Sequence, residues 1–450
     1  MSLMKSEKTT TEKSGLLGFW DLAFMGLGSV VGAGIVTYVG IAISWTGRSA
    51  WIAYAVAIVL GFLANLPLIL MSSAARIKGG NYSFLATTLG EVGGGWYGVQ
   101  QILNAFYFST MALSLGNYMH AISPAIPVKG VAIFSLVLFA LINLFGTSFM
   151  AKVQNVLTII LIFGLLMFGL YGMMNAQPGS FDFAAEDFFT DGPDGFMQAV
   201  MILMNSTTGY TLITSFSGSC KKPKTDLPLA MAIVPLFLVV LYCSVGFTMC
   251  NVLPIEQTAN QPLTAVAQVI FSPVVFYLFV FSGPVMALAT SLNSSFGIFE
   301  RPMMQLTRDG WLPKILGNVN KYGIAWKYII IFFFIGALPI VLDFDIGTIV
   351  SNFTFVSSIG YILVAIGIMR YPKTMEGAWE NRAWRTPMWL FLAACWIALA
   401  IRVFMIWRSF QTANMTMLVA SAACLLVMWL WCFYRKKTGK AHVEKSWELQ

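Results

Sequence analysis

The sequence predicts an all-α polytopic membrane protein of twelve transmembrane helices, and three observations carry that prediction. Of the 450 residues, 58% are hydrophobic and only 10% charged, with a mean hydropathy of +0.76; a soluble globular chain carries about 25% charge. The apolar residues fall into twelve runs, most near the length of about 20 residues that a helix needs to cross a bilayer. Every gap between runs holds charges, Pro or Gly. The Lys and Arg residues are also unevenly spread. With the N-terminus inside, 23 of the 27 fall on the inner side, leaving Arg48, Lys129, Arg402 and Arg408 outside. Basic inner loops of this kind set membrane orientation. They account for the net charge of +8 without nucleic-acid binding, and they place both termini in the cytosol.

Taken in order, residues 1–16 read as a polar cytoplasmic tail, not a cleaved leader. The first five spans lie at about 17–42, 49–72, 96–122, 131–148 and 153–175, and form a unit over 17–175. An extracellular loop, 176–194, carries Asp182, Glu186, Asp187, Asp191 and Asp194, read as a solvated acidic surface and not a metal site. A second unit, 195–370, holds spans at about 195–218, 228–253, 274–304, 327–342 and 347–369. The eighth span is long enough to tilt or project beyond the bilayer. Residues 308–326, punctuated by Gly, Pro and Asn, are expected to pack under the helices. Helices eleven and twelve, about 386–409 and 414–434 within the region 371–434, precede a cytoplasmic tail, 435–450. The six cysteines show neither disulfide nor metal spacing and read as small apolar packing residues.

The stretch Gly26–Gly40, GLGSVVGAGIVTYVG, organises the chain. It lies in an uncharged run, yet Gly26, Gly28, Gly32 and Gly34 sit near its middle, where a helix tolerates Gly poorly. Two readings stand. Gly28 and Gly32 form a GxxxG that brings helices close, or the helix is broken at mid-depth where it lines a binding site. Span six repeats the feature. Shifted by 177 residues, Ser206 overlays Ser29, Gly209 overlays Gly32 and Thr214 overlays Thr37. Similarity five helices apart implies an inverted 5+5 repeat with helices one and six broken and two helices appended.

Enzyme chemistry is not expected. The two histidines, His120 and His442, belong to no catalytic motif. Asp21, Glu300 and Arg301 fall near inner span ends, where charges reach the interface. Mid-membrane polarity must therefore come from backbone, hydroxyl and amide groups, which suit a zwitterion. The start of a half-helix at Val31, Gly32, Ala33 and Gly34 offers N–H groups and a positive dipole end to a carboxylate. Asn205, Thr208 and Gly209 offer carbonyls to an ammonium group or Na⁺. Tyr107 and Tyr210 read either as lids over this substrate or as packing aromatics. The physics favours a neutral amino acid.

Four motifs add a resemblance: GSVVGAGI at 28–35, GGNY at 79–82, TGY at 208–210 followed by KKPKTDLP at 221–228, and RDGWLP at 308–313. With them the chain resembles the amino acid–polyamine–organocation superfamily of permeases, over 18 to about 370. The resemblance implies the leucine-transporter fold and secondary transport by alternating access. There are departures. Ser219 stands where members often carry Glu, Lys222 where Asn is usual and Arg76 where Pro is usual. Leu161 stands where proton-coupled or uncoupled members carry a Lys that fills a sodium ion's place. The segment 293–303, NSSFGIFERPM, is similar to the sodium-coupled branch. It implies Na⁺ ligation by the hydroxyls of Ser294 and Ser295 and the carbonyls of Gly28, Val31 and Ser291, with no other cofactor. Proton coupling or exchange remains open beside sodium, as does a non-transporting sensor on the same fold. The expected partners are the amino acid and the lipid bilayer, the chain being a monomer or homodimer.

Overall fold

The computed structural model describes residues 17–344, 346–375, 377–412, 415–444 and 447–449. The expected tail 1–16 lies outside the described residues. Helices dominate. The first group is α1 (Phe19–Val30), α2 (Ala33–Thr46) and α3 (Ala50–Ser72), then the short α4 (Asn81–Thr88) and α5 (Glu91–Gln100). After a 3-10 turn, Gln101–Phe106, come α6 (Tyr107–Ile122), α7 (Val128–Leu144), α8 (Thr147–Met174) and α9 (Gly192–Asn205). A second 3-10 segment, Gly209–Ser219, leads into α10 (Pro223–Asn251), the short α11 (Ile255–Thr258) and α12 (Leu263–Ile270), and α13 (Pro273–Val280). A π turn, Phe281–Val285, joins α13 to α14 (Met286–Arg308). The chain ends with α15 (Trp326–Val341), α16 (Ile346–Thr374), α17 (Met388–Thr412) and α18 (Met415–Lys437).

Seven helical stretches among the described residues are long and apolar enough to cross a membrane, and three shorter apolar helices accompany them. This is a multi-pass membrane protein. One of the seven, Gly34–Ser72, has 39 residues, about twice the length of a crossing. Gly47, at φ 62°, turns the chain between α2 and α3. Large apolar side chains such as Phe134, Phe163, Trp389, Trp396 and Val427 stand exposed on the outside of the bundle, as lipid contact requires. Buried at the centre, α14 packs on α1, α6, α7 and α8.

Three expectations are corrected. The third span is not one helix from 96 but α5, a 3-10 turn and α6. Glycines weaken helix there and let other elements close in: a Cβ at Gly95 would stand 2.7 Å from the Trp311 ring, and one at Gly98 would stand 2.6 Å from Leu306. Glu300 and Arg301 do not reach an interface; both are buried, because neighbouring elements satisfy them. Glu300 Oε1 accepts the Ala325 N–H at 2.8 Å. Arg402, counted on the outer side and so expected to reach water, is instead buried within α17.

The C-terminal residues cross the face where Leu17 also lies, the terminal face. Trp447–Glu448 pairs antiparallel with Arg76–Ile77, and Lys78 bonds Glu448 at 3.0 Å. Arg435 Nε donates to Gly310 O at 2.9 Å, and the His442 N–H donates to Asp309 O at 2.9 Å. Asp309 in turn accepts from Tyr82 at 2.5 Å and from Gln305 at 3.0 Å. Burial pushes its carboxyl up to about 6, with those two hydrogen bonds opposing. An acid whose folded pKa is raised holds its proton more tightly when folded. Its contribution to stability is complete below about pH 4 and is lost as pH rises through about 6. Wild type is therefore expected to lose more melting temperature between pH 4 and pH 7 than Asp309→Asn; parallel profiles in a thermal-shift series would refute this.

Candidate functional site

Helix α1 gives out at Val31, whose N–H still donates to Leu27 O at 2.8 Å. Gly32, at φ −145° and ψ −139°, separates it from α2, and no side chain caps the new helix start. The N–H groups there are those that a half-helix presents to an anion. Helix α9 gives out at Asn205. Ser206 and Thr207 fold back, their hydroxyls bonding Leu203 O at 2.5 Å and Met204 O at 2.9 Å. Side chains that compete for backbone in this way weaken a helix.

The two breaks face each other. Ser29 Oγ donates to Gly209 O at 3.3 Å. A Cβ on Gly34 would overlap Ser206, and one on Gly209 would stand 2.7 Å from Ser29 O. Tyr242 of α10 lies between them, its hydroxyl 3.1 Å from Val30 O and 3.2 Å from Ser206 O. It thus ties together carbonyls that neither broken helix satisfies itself. Removing it from a buried site leaves them without that donor, at a cost of about 1–3 kcal/mol. Tyr242→Phe is expected to lower both melting temperature and uptake, and an unchanged variant in both assays would show the bridge is dispensable.

Behind the first break, Ser291 of α14 donates from Oγ to Gly28 O at 3.1 Å and Val31 O at 3.4 Å. Ser294 and Ser295 donate to Ser291 O at 3.2 and 2.7 Å. The Gly28 and Val31 carbonyls thus meet α14 through the Ser291 hydroxyl, while the Ser294 and Ser295 hydroxyls bond back to their own helix. Span five faces it with Gln154 and Thr158: a Cβ at Gly28 would overlap the Gln154 amide and stand 3.0 Å from Thr158 Oγ1. Asn293 Nδ2 holds Gln154 Oε1 at 2.8 Å, while Gln154 Nε2 is buried without a partner. Leu161 is buried two turns further along α8.

Of the residues singled out from sequence, Val31, Gly32, Gly34, Thr208 and Gly209 meet at the breaks, and the side chain of Ala33 lies outside the described residues. Asn205 does not join them. It is exposed, because the buried side of α9 runs through Val200, Leu203 and Met204. Tyr107 and Tyr210 do not pair across a pocket either. Tyr107 bonds Tyr38, and the buried Tyr210 is turned to Asn65. Sequence reading missed Tyr242, Gln154 and Asn293. Their signal was a polar group inside an apolar run, which spacing alone does not assign to a partner.

Contacts cross the chain on both sides of this region. On the terminal face Arg301 donates to Ser219 Oγ at 2.6 Å and Thr147 Oγ1 at 2.5 Å, with its guanidinium 4.6 Å from the Phe216 ring centre. Leu17 pairs with Ser219 and Lys221 through backbone bonds of 3.1 and 2.8 Å. Toward the opposite face Tyr118 donates to Val36 O at 2.7 Å, and the Asn260 N–H donates to Gly40 O at 2.8 Å.

A family model described as Amino acid permease matches residues 17–431. The chain belongs to the amino acid permease family. It is therefore read as a transporter and not an enzyme. This permease is similar to the branched-chain amino acid permease BcaP of Bacillus subtilis, 25% identical over 68% of this chain and 69% of the relative. It is also similar to the inner membrane transport protein YbaT of Escherichia coli, 22% identical over 79% and 83%. The serine/threonine exchanger SteT of Bacillus subtilis is 22% identical over 86% and 90%.

Proposed function

We propose that this permease carries a neutral amino acid across the cytoplasmic membrane by alternating access, as a twelve-span inverted 5+5 repeat with both termini inside. The observation that carries the reading is the contact between two broken helices. The uncapped start of α2 suits a carboxylate, and the carbonyls around Ser206–Gly209 suit an ammonium group. No carboxylate belongs to either break, so a cationic substrate has no counter-charge there. Relatives named for branched-chain amino acids and for serine and threonine agree with a neutral substrate. In transport, the breaks bind and orient the zwitterion, and the contacts at Arg301 and at Tyr118 open in turn.

Sodium is the coupling ion in this reading. The carbonyls of Gly28, Val31 and Ser291 with the hydroxyls of Ser294 and Ser295 are hard, neutral oxygens, which fit an ion that must also be released. The Ser291 hydroxyl moves aside when the carbonyls it now serves turn to the ion. That same hydrogen bonding favours a second reading, exchange without an ion, since the Ser291 hydroxyl already donates to this pair of carbonyls. The test is the melting temperature of purified protein with each of the twenty amino acids, in sodium chloride and in choline chloride, because ligands of the native state stabilise it by mass action. A rise for neutral amino acids in sodium alone, lost in Ser294→Ala/Ser295→Ala, is expected. A rise indifferent to sodium would leave exchange, and no rise with any amino acid would refute the substrate class.

A further inference from the structure

Arg402 sits on α17, about 21 Å along the helix from Met388, and is only 4% exposed. Its guanidinium donates to Asn65 Oδ1 of α3 at 2.7 Å and lies 4.2 Å from the ring centre of Tyr361 on α16. One neutral acceptor and one ring face do not use the five donors of a guanidinium, and no carboxylate pairs with it among the described residues. Charged side chains inside membrane proteins are otherwise paired. Beside it is a cavity of about 20 Å³ bordered by Asn65, Asn81, Tyr361 and Arg402, with apolar side chains around them and no acidic residue. That volume admits a water-sized particle. Tyr210, buried on the second broken helix, does not border this cavity but is turned to Asn65, which does.

We propose that Arg402, at the cavity it shares with Asn65, Asn81 and Tyr361, binds a small anion, chloride. The ion supplies the negative charge that no described residue brings to a buried guanidinium. Tyr210 follows Gly209 directly, so an ion held there steadies the second break against α3, α16 and α17. Chloride thereby raises the affinity for substrate without touching it. The site uses none of the oxygens assigned to sodium, and it stands whichever coupling ion the permease uses.

The test keeps choline as the only cation and compares chloride with gluconate, an anion too large for the cavity. Wild-type protein without amino acid is expected to melt about 2 °C or more higher in chloride. The rise should saturate with concentration and be reproduced by bromide. Arg402→Gln, checked for a monodisperse elution profile, should melt equally in both salts. Anomalous scattering from bromide-grown crystals should put one peak at the guanidinium, a readout that needs no variant. Equal melting of wild type in chloride and gluconate would overturn the proposal and leave a water in the cavity. A chloride effect that survives in Arg402→Gln would overturn it too, as a general salt effect.

Discussion

Gly34→Ala is expected to slow uptake by about 5- to 150-fold. The new methyl would overlap the Ser206 side chain and stand 2.9 Å from Ser206 Cα. The struck atoms, Cβ and Cα of Ser206, are fixed by the backbone at a helix break, so a rotamer change does not relieve the clash. Overpacking of this kind costs about 1–3 kcal/mol, which lowers the population of the closed arrangement about 5- to 150-fold. A carrier that must pass through that arrangement in each cycle slows by the same factor. Ser206→Gly removes the side chain that is struck, so the double variant should recover a large part of the lost rate. Liposome uptake of the single and double variants forms a double-mutant cycle. If Gly34→Ala transports like wild type, the breaks do not close on each other during turnover. If the double variant is no better than the single, the methyl acts elsewhere.

Arg301→Ala is expected to open the terminal face. The guanidinium joins α14 to Ser219 on the second broken helix and to Thr147 on α8, and covers Phe216. Hydrogen bonds from a charged donor are worth about 1.5–3 kcal/mol, enough to shift closure tenfold to hundredfold. Cys220, buried and adjacent to Ser219, is a native reporter. Its alkylation by a maleimide, followed by peptide mass spectrometry, should speed up at least about tenfold in the variant, with uptake falling by a similar factor. The family resemblance puts Glu at the position of Ser219, so this chain makes the contact with a neutral hydroxyl. Unchanged alkylation of Cys220 would show that the backbone pairing of Leu17 with Ser219 and Lys221 closes this face without Arg301.

Much of the fold was legible because membrane helices announce themselves locally. Hydropathy and length placed the ends of Thr147–Met174 and Pro223–Asn251 within two residues and their starts within six. The interruptions in the first and sixth spans were legible too, since Gly32 and the run Ser206–Gly209 oppose helix by propensity alone. What was not legible depended on partners far away in the chain. Tyr242 joins Val30 to Ser206, Arg402 meets Asn65, and the strand Trp447–Glu448 finds Arg76–Ile77. Hydropathy says that Asn205 and Thr208 are both polar, but only the turn of α9 decides that one is exposed and the other buried.

By itself, then, the amino-acid sequence determined an all-helical, multi-pass protein of the permease class, with helix interruptions at Gly32 and near Thr208. Those features follow from burial in lipid and from backbone propensity, which act over a few residues. The tertiary structure decided which polar groups meet: Ser291 with the Gly28 and Val31 carbonyls, Arg301 with Ser219, and Arg402 with Asn65 and no carboxylate among the described residues. Such pairings depend on how helices rotate and cross, because a hydrogen bond reaches only about 3 Å and no local pattern specifies which residue will stand there.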